Sequence, residues 1–426
     1  MEAHVTHNAV IVGGNRIPFT KAGGRYADAS NHDLLTAALD GLVARFGLSG
    51  QRLGEVAGGA VLKHPRDFNL TREAVLSSAL SPDTPACDLQ QACGTSLETT
   101  VYIANKIALG QIESGIACGV DSASDAPITV SDGLKKALLK ASRARSVGER
   151  AKAFAAIRPR HLAPLAPGVA EPRTGLSMGE HQALTTEAWG VTREEQDEIA
   201  AASHHNLAAA WDDGFFDDLV TPYLGVARDT ILRPDTSVEK LARLKPAFGG
   251  PEGTMTAGNS TALSDGAASV FLASESYARE NKLPMLARVV DAEVAAVDHP
   301  GGADLLLGPV AAAGRLLERQ GLTLDDFALI EIHEAFASTV AATLKAWNDE
   351  DFCRARGLSG PIGTFDHSKL NVAGSSLAAG HPFAATGARI VPTLAKLLHA
   401  KGPGSRGLIS MCAAGGQGIV AIVEAV

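Results

Sequence analysis

Aromatic residues are scarce in this 426-residue chain, at 5%. No uninterrupted run of about 18 apolar residues occurs, which excludes a transmembrane helix. Cysteine is rarer still. Cys87, Cys93, Cys118, Cys353 and Cys412 are scattered, odd in number and free of any CxxC spacing. That excludes a disulfide framework or a structural zinc and points to a reducing compartment. Positive charge is also short: 38 Lys and Arg against 47 Asp and Glu leave a net charge of −9, which argues against non-specific nucleic-acid binding. The opening MEAHVTHNAVIVGG has no basic stretch before an apolar one and no Arg/Ser-rich leader, and the closing IVEAV is no sorting tripeptide. The expectation is a cytoplasmic protein.

What is present is a folded, aliphatic-rich chain, 46% apolar and 20% charged, too long for one hydrophobic core. Strand and helix patterns alternate. Asn8–Val12 reads as a strand closed by Gly13-Gly14, and Asn31–Phe46 as a helix closed by Gly47. Gly94–Leu109 reads as a helix before a strand at Gly115–Val120. Strands follow at Met285–Ala296 and Phe327–Ile332, then a helix at Glu334–Trp347 and closing strands at Leu408–Cys412 and Ile419–Val423. Such alternation predicts α/β layers. A diverged duplication shows through: a small-residue loop (Gly94-Thr95-Ser96, then Gly374-Ser375-Ser376), an alanine-rich helix, a glycine (Gly110, Gly407) and a strand with a cysteine (Cys118, Cys412). Residues 126–245, with the proline-rich HLAPLAPGVAEP, interrupt the pattern as an insertion. The domain reading is 1–125 completed by 246–283, an inserted loop domain over 126–245, and 284–426.

Four segments carry reactive side chains. Cys93, in QACGT, stands where a helix begins; the field of a helix N-terminus favours a thiolate there, while a buried structural cysteine is the plainer alternative. His381, between Gly380 and Pro382, has a fixed backbone and suits a general base, or is a loop histidine satisfied by backbone. Cys412, in the turn CAAGG, sits beside backbone N–H groups able to hold an oxyanion. His333 opens HEAF, but Ala337 four residues on rules out an HExxH zinc site. No metal is expected.

In this order, and with Thr256-Ala257-Gly258-Asn259-Ser260-Thr261 and Asp265-Gly266-Ala267-Ala268 between them, these segments resemble the thiolase family over essentially the whole chain. HEAF for the commoner NEAF, CAAGGQG for CxGGG, and ALLKASRARS with SMGEH look most like the β-subunit type of the trifunctional fatty-acid-oxidation complex. The resemblance implies two duplicated α/β domains with an inserted loop domain. It implies CoA-dependent cleavage of 3-ketoacyl-CoA in β-oxidation through an acyl-cysteine, with coenzyme A as substrate and no cofactor. Cys93 would be the nucleophile, His381 its base, Cys412 the acid/base for the acetyl-CoA carbanion, and His333 part of the enolate site in place of the usual Asn. The N–H groups of Cys93 and Ala414 (usually Gly) would hold the other oxyanion. Met178, Phe248, Thr261 (usually Ser) and Phe336 would line the pantetheine and Arg233 the nucleotide; Ser177 stands where His is usual. A biosynthetic acetyl-CoA acetyltransferase and a non-catalytic acyl-CoA-binding or assembly subunit are the alternatives.

The resemblance also implies a homodimer or homotetramer and a hydratase/dehydrogenase α-subunit as partner. One segment stands apart in charge. Residues 135–160 hold nine Lys and Arg against Glu149 alone. Leu134, Leu138 and Ala141, then Val147, Ala151 and Phe154, recur at helical spacing, so two short amphipathic helices are expected there. They form either a solvated face that attracts CoA phosphates or a dock for that partner or an anionic membrane.

Overall fold

A strand covered on both faces needs small or apolar residues at every position, not at every second one. Ser114–Ser122 and Ser264–Ser274 meet that demand, buried throughout, and pair antiparallel from Ser114↔Ala273 to Ser122↔Asp265. The structure, a computed structural model, describes residues 7–168, 170–300 and 304–426. Met1–Thr6 of the opening, Val169 of the proline-rich segment and 301–303 of the 284–426 region lie outside the described residues.

The sheet has two halves. One runs in the order Ala86–Asp88, Glu55–Gly58, Ser114–Ser122, Ser264–Ser274, Ala9–Arg16; the other runs Ala287–Ala296, Gln417–Ala425, Arg406–Ala413, Leu329–Ile332. They meet through two residue pairs only, Val10↔Arg288 and Ile11↔Ala287. Between their inner faces lie the alanine-rich helices Thr95–Ala108 and Thr386–Lys401. Leu97, Ile103 and Ile107 from one helix and Ile390, Val391 and Leu394 from the other share a core with Val270, Leu272, Ile409 and Ile419 of the strands. Asn31–Phe46 and Leu70–Ser77 cover the outer face of the first half. Gly308–Gln320 and Ala337–Asn348 cover that of the second. Five α/β layers result, with the two halves of the duplication back to back.

The strand Ala9–Arg16 runs on through Gly13 and Gly14 instead of closing there, with a register shift between Ile11 and Gly13. A Cβ on Gly14 would lie 2.5 Å from the Pro392 ring, so the glycine lets a buried strand pass under the central helix. The helix expected from Glu334 begins at Ala337. HEAF stays extended because Ser260 bridges Phe336 and the Thr261 N–H donates to Ala335.

Residues 126–245 leave the sheet after Ser114–Ser122 and contribute mainly helices, among them Asp132–Ser142, Val147–Ala155, Met178–Ala188 and Arg193–Asp212. The two basic helices form, each N-capped by a serine, Ser131 and Ser146. Their buried positions, however, are Ala137, Ala141 and Ala153. Leu138, Val147 and Phe154 of the expected apolar row point outward, at 43%, 86% and 46% exposure. No helix of the described residues is long and apolar enough to cross a membrane.

Candidate active site

The two central helices begin side by side. A Cβ on Gly387 would fall 2.3 Å from the Leu97 nitrogen, and the Ala388 N–H donates to Ser96 Oγ at 2.8 Å. That crossing brings the loops ahead of both helices together. Cys93 Sγ lies 3.2 Å from His381 Nε2. Asp121, near the end of Ser114–Ser122, ties the His381 loop to the segment after Glu55–Gly58: its carboxylate accepts from the N–H groups of Val61, Leu62 and Ala384 at 2.7–3.1 Å.

His381 is 4% exposed and held from both sides. Its backbone N–H donates to Ser264 Oγ at 3.1 Å, and its Nδ1 lies 2.6 Å from Thr386 Oγ1. With Nδ1–H donating to Thr386, Nε2 is left as the acceptor for the thiol. Burial, reinforced by the charge of Arg389, pulls its pKa down to about 3, so the ring is neutral at physiological pH.

Cys93 departs from the thiolate expectation. Burial pushes its thiol up to about 12, against the backbone N–H groups of Ala414 and Cys93 itself, which pull the other way. The residue is partly exposed at the surface, but the short field of a helix N-terminus does not offset desolvation of the sulfur. The resting group is therefore a thiol, and it needs its base. The contact from Ala414 places the turn after the second cysteine against the first.

His333, just after Leu329–Ile332, packs against His381 with ring centroids 4.2 Å apart and the planes tilted by 49°. Its Nδ1 lies 2.8 Å from Ser376 Oγ, and that oxygen also accepts from Arg389 at 3.2 Å. Arg389 only donates, so the serine hydroxyl proton is available to Nδ1; in that arrangement the ring proton sits on Nε2. Nε2 is buried and has no partner. Burial, then His381 and Arg389, hold its pKa well below the usual value. Here is a neutral N–H donor facing the cysteine with nothing yet to bind.

Cys412, 3% exposed, belongs to an apolar cluster with Met255, Leu305, Leu306, Ala335 and Phe336, against which Met178 and Phe248 pack. Burial, with the neighbouring Cys93, raises its thiol pKa far above the ordinary range. Three of the expected pantetheine residues, Met178, Phe248 and Phe336, thus meet at the second cysteine, and the Phe248 and Phe336 rings stand edge to face. Thr261 adjoins them through Ala335, to whose carbonyl its hydroxyl donates at 2.9 Å. Arg233 is exposed and lies against His204; it is not in that cluster, though Ile231, two residues before it, reaches Gly380.

Four further residues build the site; Glu334 stands inside HEAF but was given no role there, and the other three were not singled out. Glu334 accepts from Ser203, Asn371 and the Leu377 N–H at 2.7–3.0 Å, fastening the Ser376 loop beneath His333. Asn371, at φ 46°, caps the end of Leu329–Ile332. Thr386 orients His381. Glu171, from the inserted region, accepts from the Gly415 N–H at 2.7 Å and so holds the Cys412 turn. Only the positive φ at Gly415 and Gly416 (80° and 72°) was foreshadowed, by the paired glycines. A cavity of 1030 Å³ between Arg193–Asp212 and Ala337–Asn348 shares Glu334 and Asn371 with this network and is lined by none of the cysteines or by His333 or His381.

The chain matches two family models, "Thiolase, N-terminal domain" over residues 9–276 and "Thiolase, C-terminal domain" over 283–425. It is 40% identical to the 3-ketoacyl-CoA thiolases of Yersinia pestis (strain Pestoides F) and Yersinia pseudotuberculosis serotype O:1b (strain IP 31758), over 97% of this chain and 96% of each relative. Among solved structures it is similar to the Bacillus anthracis acetyl-CoA acetyltransferase, with a TM-score of 0.81, 30% identity and 100% of both chains covered. It is also similar to human mitochondrial 3-ketoacyl-CoA thiolase in complex with CoA, with a TM-score of 0.80, 27% identity and 99% of both chains covered.

Proposed function

The chain belongs to the thiolase family of acyltransferases, and from that premise we propose that it cleaves 3-ketoacyl-CoA with free CoA in fatty-acid β-oxidation. The observation that carries the reading is the 3.2 Å contact of Cys93 Sγ with His381 Nε2, in a ring whose other nitrogen is fixed by Thr386. His381 takes the thiol proton as Cys93 attacks the 3-keto carbon, and the N–H groups of Cys93 and Ala414 stabilise the charge that develops. Collapse breaks the bond between C2 and C3, leaving the acyl group on sulfur and the electron pair on the acetyl-CoA enolate. The free Nε2–H of His333 donates to that enolate oxygen, and Cys412 protonates its carbon. Cys412, now a thiolate, deprotonates the incoming CoA thiol, which takes the acyl group and restores Cys93. The apolar cluster around Cys412 seats the pantetheine and keeps water from the thioester.

The same residues run the reaction backwards, so biosynthetic condensation of two acetyl-CoA is the second reading, favoured by the likeness to the Bacillus anthracis enzyme. The ketoacyl-CoA relatives are more similar in sequence. A non-catalytic subunit is disfavoured by the intact set of Cys93, His381 and Cys412. Arg233 as a nucleotide contact, coenzyme A without a cofactor, and a cytoplasmic location complete the proposal. A homodimer or homotetramer is supported by the half-buried strand Ala86–Asp88, an end strand of the sheet with an unpaired outer edge among the described residues. Contact of 135–160 with a hydratase/dehydrogenase subunit or an anionic membrane is supported by nine basic side chains beside outward-facing Leu138, Val147 and Phe154.

Incubation with acetoacetyl-CoA without free CoA tests the mechanism. Peptide mass spectrometry is expected to find one acetyl group, on Cys93. An acetyl on Cys412 or Cys118 overturns the assignment, and no CoA-dependent release of acetyl-CoA from acetoacetyl-CoA or 3-ketohexadecanoyl-CoA overturns the function.

A further inference from the structure

Cys93, His381 and His333 form a trio in which one ligand-type atom from each, a thiol sulfur and two ring nitrogens, all lie within 4.8 Å of one another. Among the described residues no other trio of His, Cys, Asp and Glu meets that spacing. Each ring is anchored at Nδ1 by a hydroxyl, His381 by Thr386 and His333 by Ser376, which leaves Nε2 of each free, that of His381 at 3.2 Å from the sulfur. Ligating histidines need that kind of outer support to fix ring orientation. A tetrahedral zinc with a thiolate at about 2.3 Å and imidazoles at about 2.0–2.1 Å holds its ligand atoms roughly 3.3–3.6 Å apart. The sulfur and the His381 nitrogen, at 3.2 Å, already stand near that separation. Nε2 of His333 is buried, partnerless and aimed into the same space. The common Asn at that place would offer an amide, a poor ligand for a soft cation.

We propose that this active site captures one soft divalent cation, Zn²⁺ above all, on Cys93, His381 and His333, with the fourth position open, as a reversible dead-end complex. The cation is no cofactor. Capture forms an S–Zn bond, and the Cys93 proton leaves to solvent. His333 moves its ring proton from Nε2 to Nδ1; the Ser376 hydroxyl rotates its own proton away from the ring, and its oxygen then accepts from Nδ1–H as well as from Arg389. The charge of Arg389 is offset by Glu331, 3.7 Å away. Entry is from the side of Cys93, the one partly exposed member of the set. The site rests on geometry alone; that capture stops turnover rests on the thiolase reading.

Co²⁺ added to the full chain reads the site directly. Expected are one bound equivalent, the visible bands of a tetrahedral ion, a thiolate-to-cobalt absorption in the near ultraviolet, and release of one proton per metal in weak buffer. Zn²⁺ should displace the cobalt and abolish acetoacetyl-CoA cleavage, with recovery on chelation. His333→Asn should weaken both metals at least tenfold, while Cys87→Ser, at a partly exposed cysteine outside the site, should leave uptake unchanged. An octahedral spectrum without the thiolate band overturns the proposal. So does equal affinity in His333→Asn, or a tetrahedral signal that persists in Cys93→Ser. A cobalt signature in a protein without cleavage activity would sink the functional reading and leave the metal site standing.

Discussion

At the scale of single residues, the site rests on protonation states set by burial. His381, held down to about 3, is a neutral base, and Cys93, pushed up to about 12, is a thiol. This is the reverse of a preformed thiolate–imidazolium pair, and the two arrangements differ in how alkylation varies with pH. Since the thiolate is the reactive form, inactivation of the free enzyme by iodoacetamide should keep rising by about tenfold per pH unit through the alkaline range. A rate that levels off near neutral pH would show an ion pair instead. Reactive residue types and their loops were legible in the sequence. Protonation was not, because the field of a helix end can be read from position, whereas desolvation depends on what the rest of the chain lays over the sulfur.

At the scale of elements, the Cys93–His381 contact depends on two helix starts that touch. Alanine is ordinarily better than glycine within a helix by up to about 1 kcal/mol. At Gly387 the sign should reverse, since the new Cβ would meet the Leu97 backbone at 2.3 Å. Gly387→Ala is expected to destabilise by about 1–3 kcal/mol in urea unfolding and to lower kcat as Cys93 and His381 separate. Unchanged stability and turnover would refute the crossing. The Cys412 turn depends on an element distant in sequence: Glu171 accepts the Gly415 N–H. A charge-assisted bond to a carboxylate is worth about 1.5–3 kcal/mol, so Glu171→Gln should slow turnover by roughly tenfold or more with little change in KM. A rise in KM alone would make Glu171 a substrate contact. Several elements escaped the sequence pattern for a physical reason. Ser264–Ser274 is rich in Gly, Ala and Ser, which carry little β signal; small residues are needed there because Phe19 presses on Gly266 and both strand faces are covered.

For the whole molecule, an acidic protein carries one strongly basic, outward-facing segment. All nine Lys and Arg of 135–160 are exposed. If that surface docks on an anionic membrane, co-sedimentation with phosphatidylserine vesicles should occur at low salt and fade as salt rises, each basic residue contributing about 1 kcal/mol. Changing Lys136, Lys140, Arg143 and Arg150 to Gln should weaken it further. No sedimentation at low salt, with a raised KM for CoA in that variant, would assign the segment to substrate instead. The amino-acid sequence by itself determined the layered α/β class, the duplication, the family and the four reactive side chains, because each is written in local periodicity or in short motifs whose order survives divergence. Tertiary structure alone decided which of them meet. Cys93 and His381 are 288 positions apart, and His333 and Ser376 are 43 apart; packing the two central helices together closes the first distance, and the bonds of Asn371 and Glu334 to the loop around Ser376 close the second. The same closure sets the proton on His333, strips water from both cysteines and recruits Glu171 from the insertion, because hydrogen-bond partnership and desolvation are properties of neighbours in space, not in sequence.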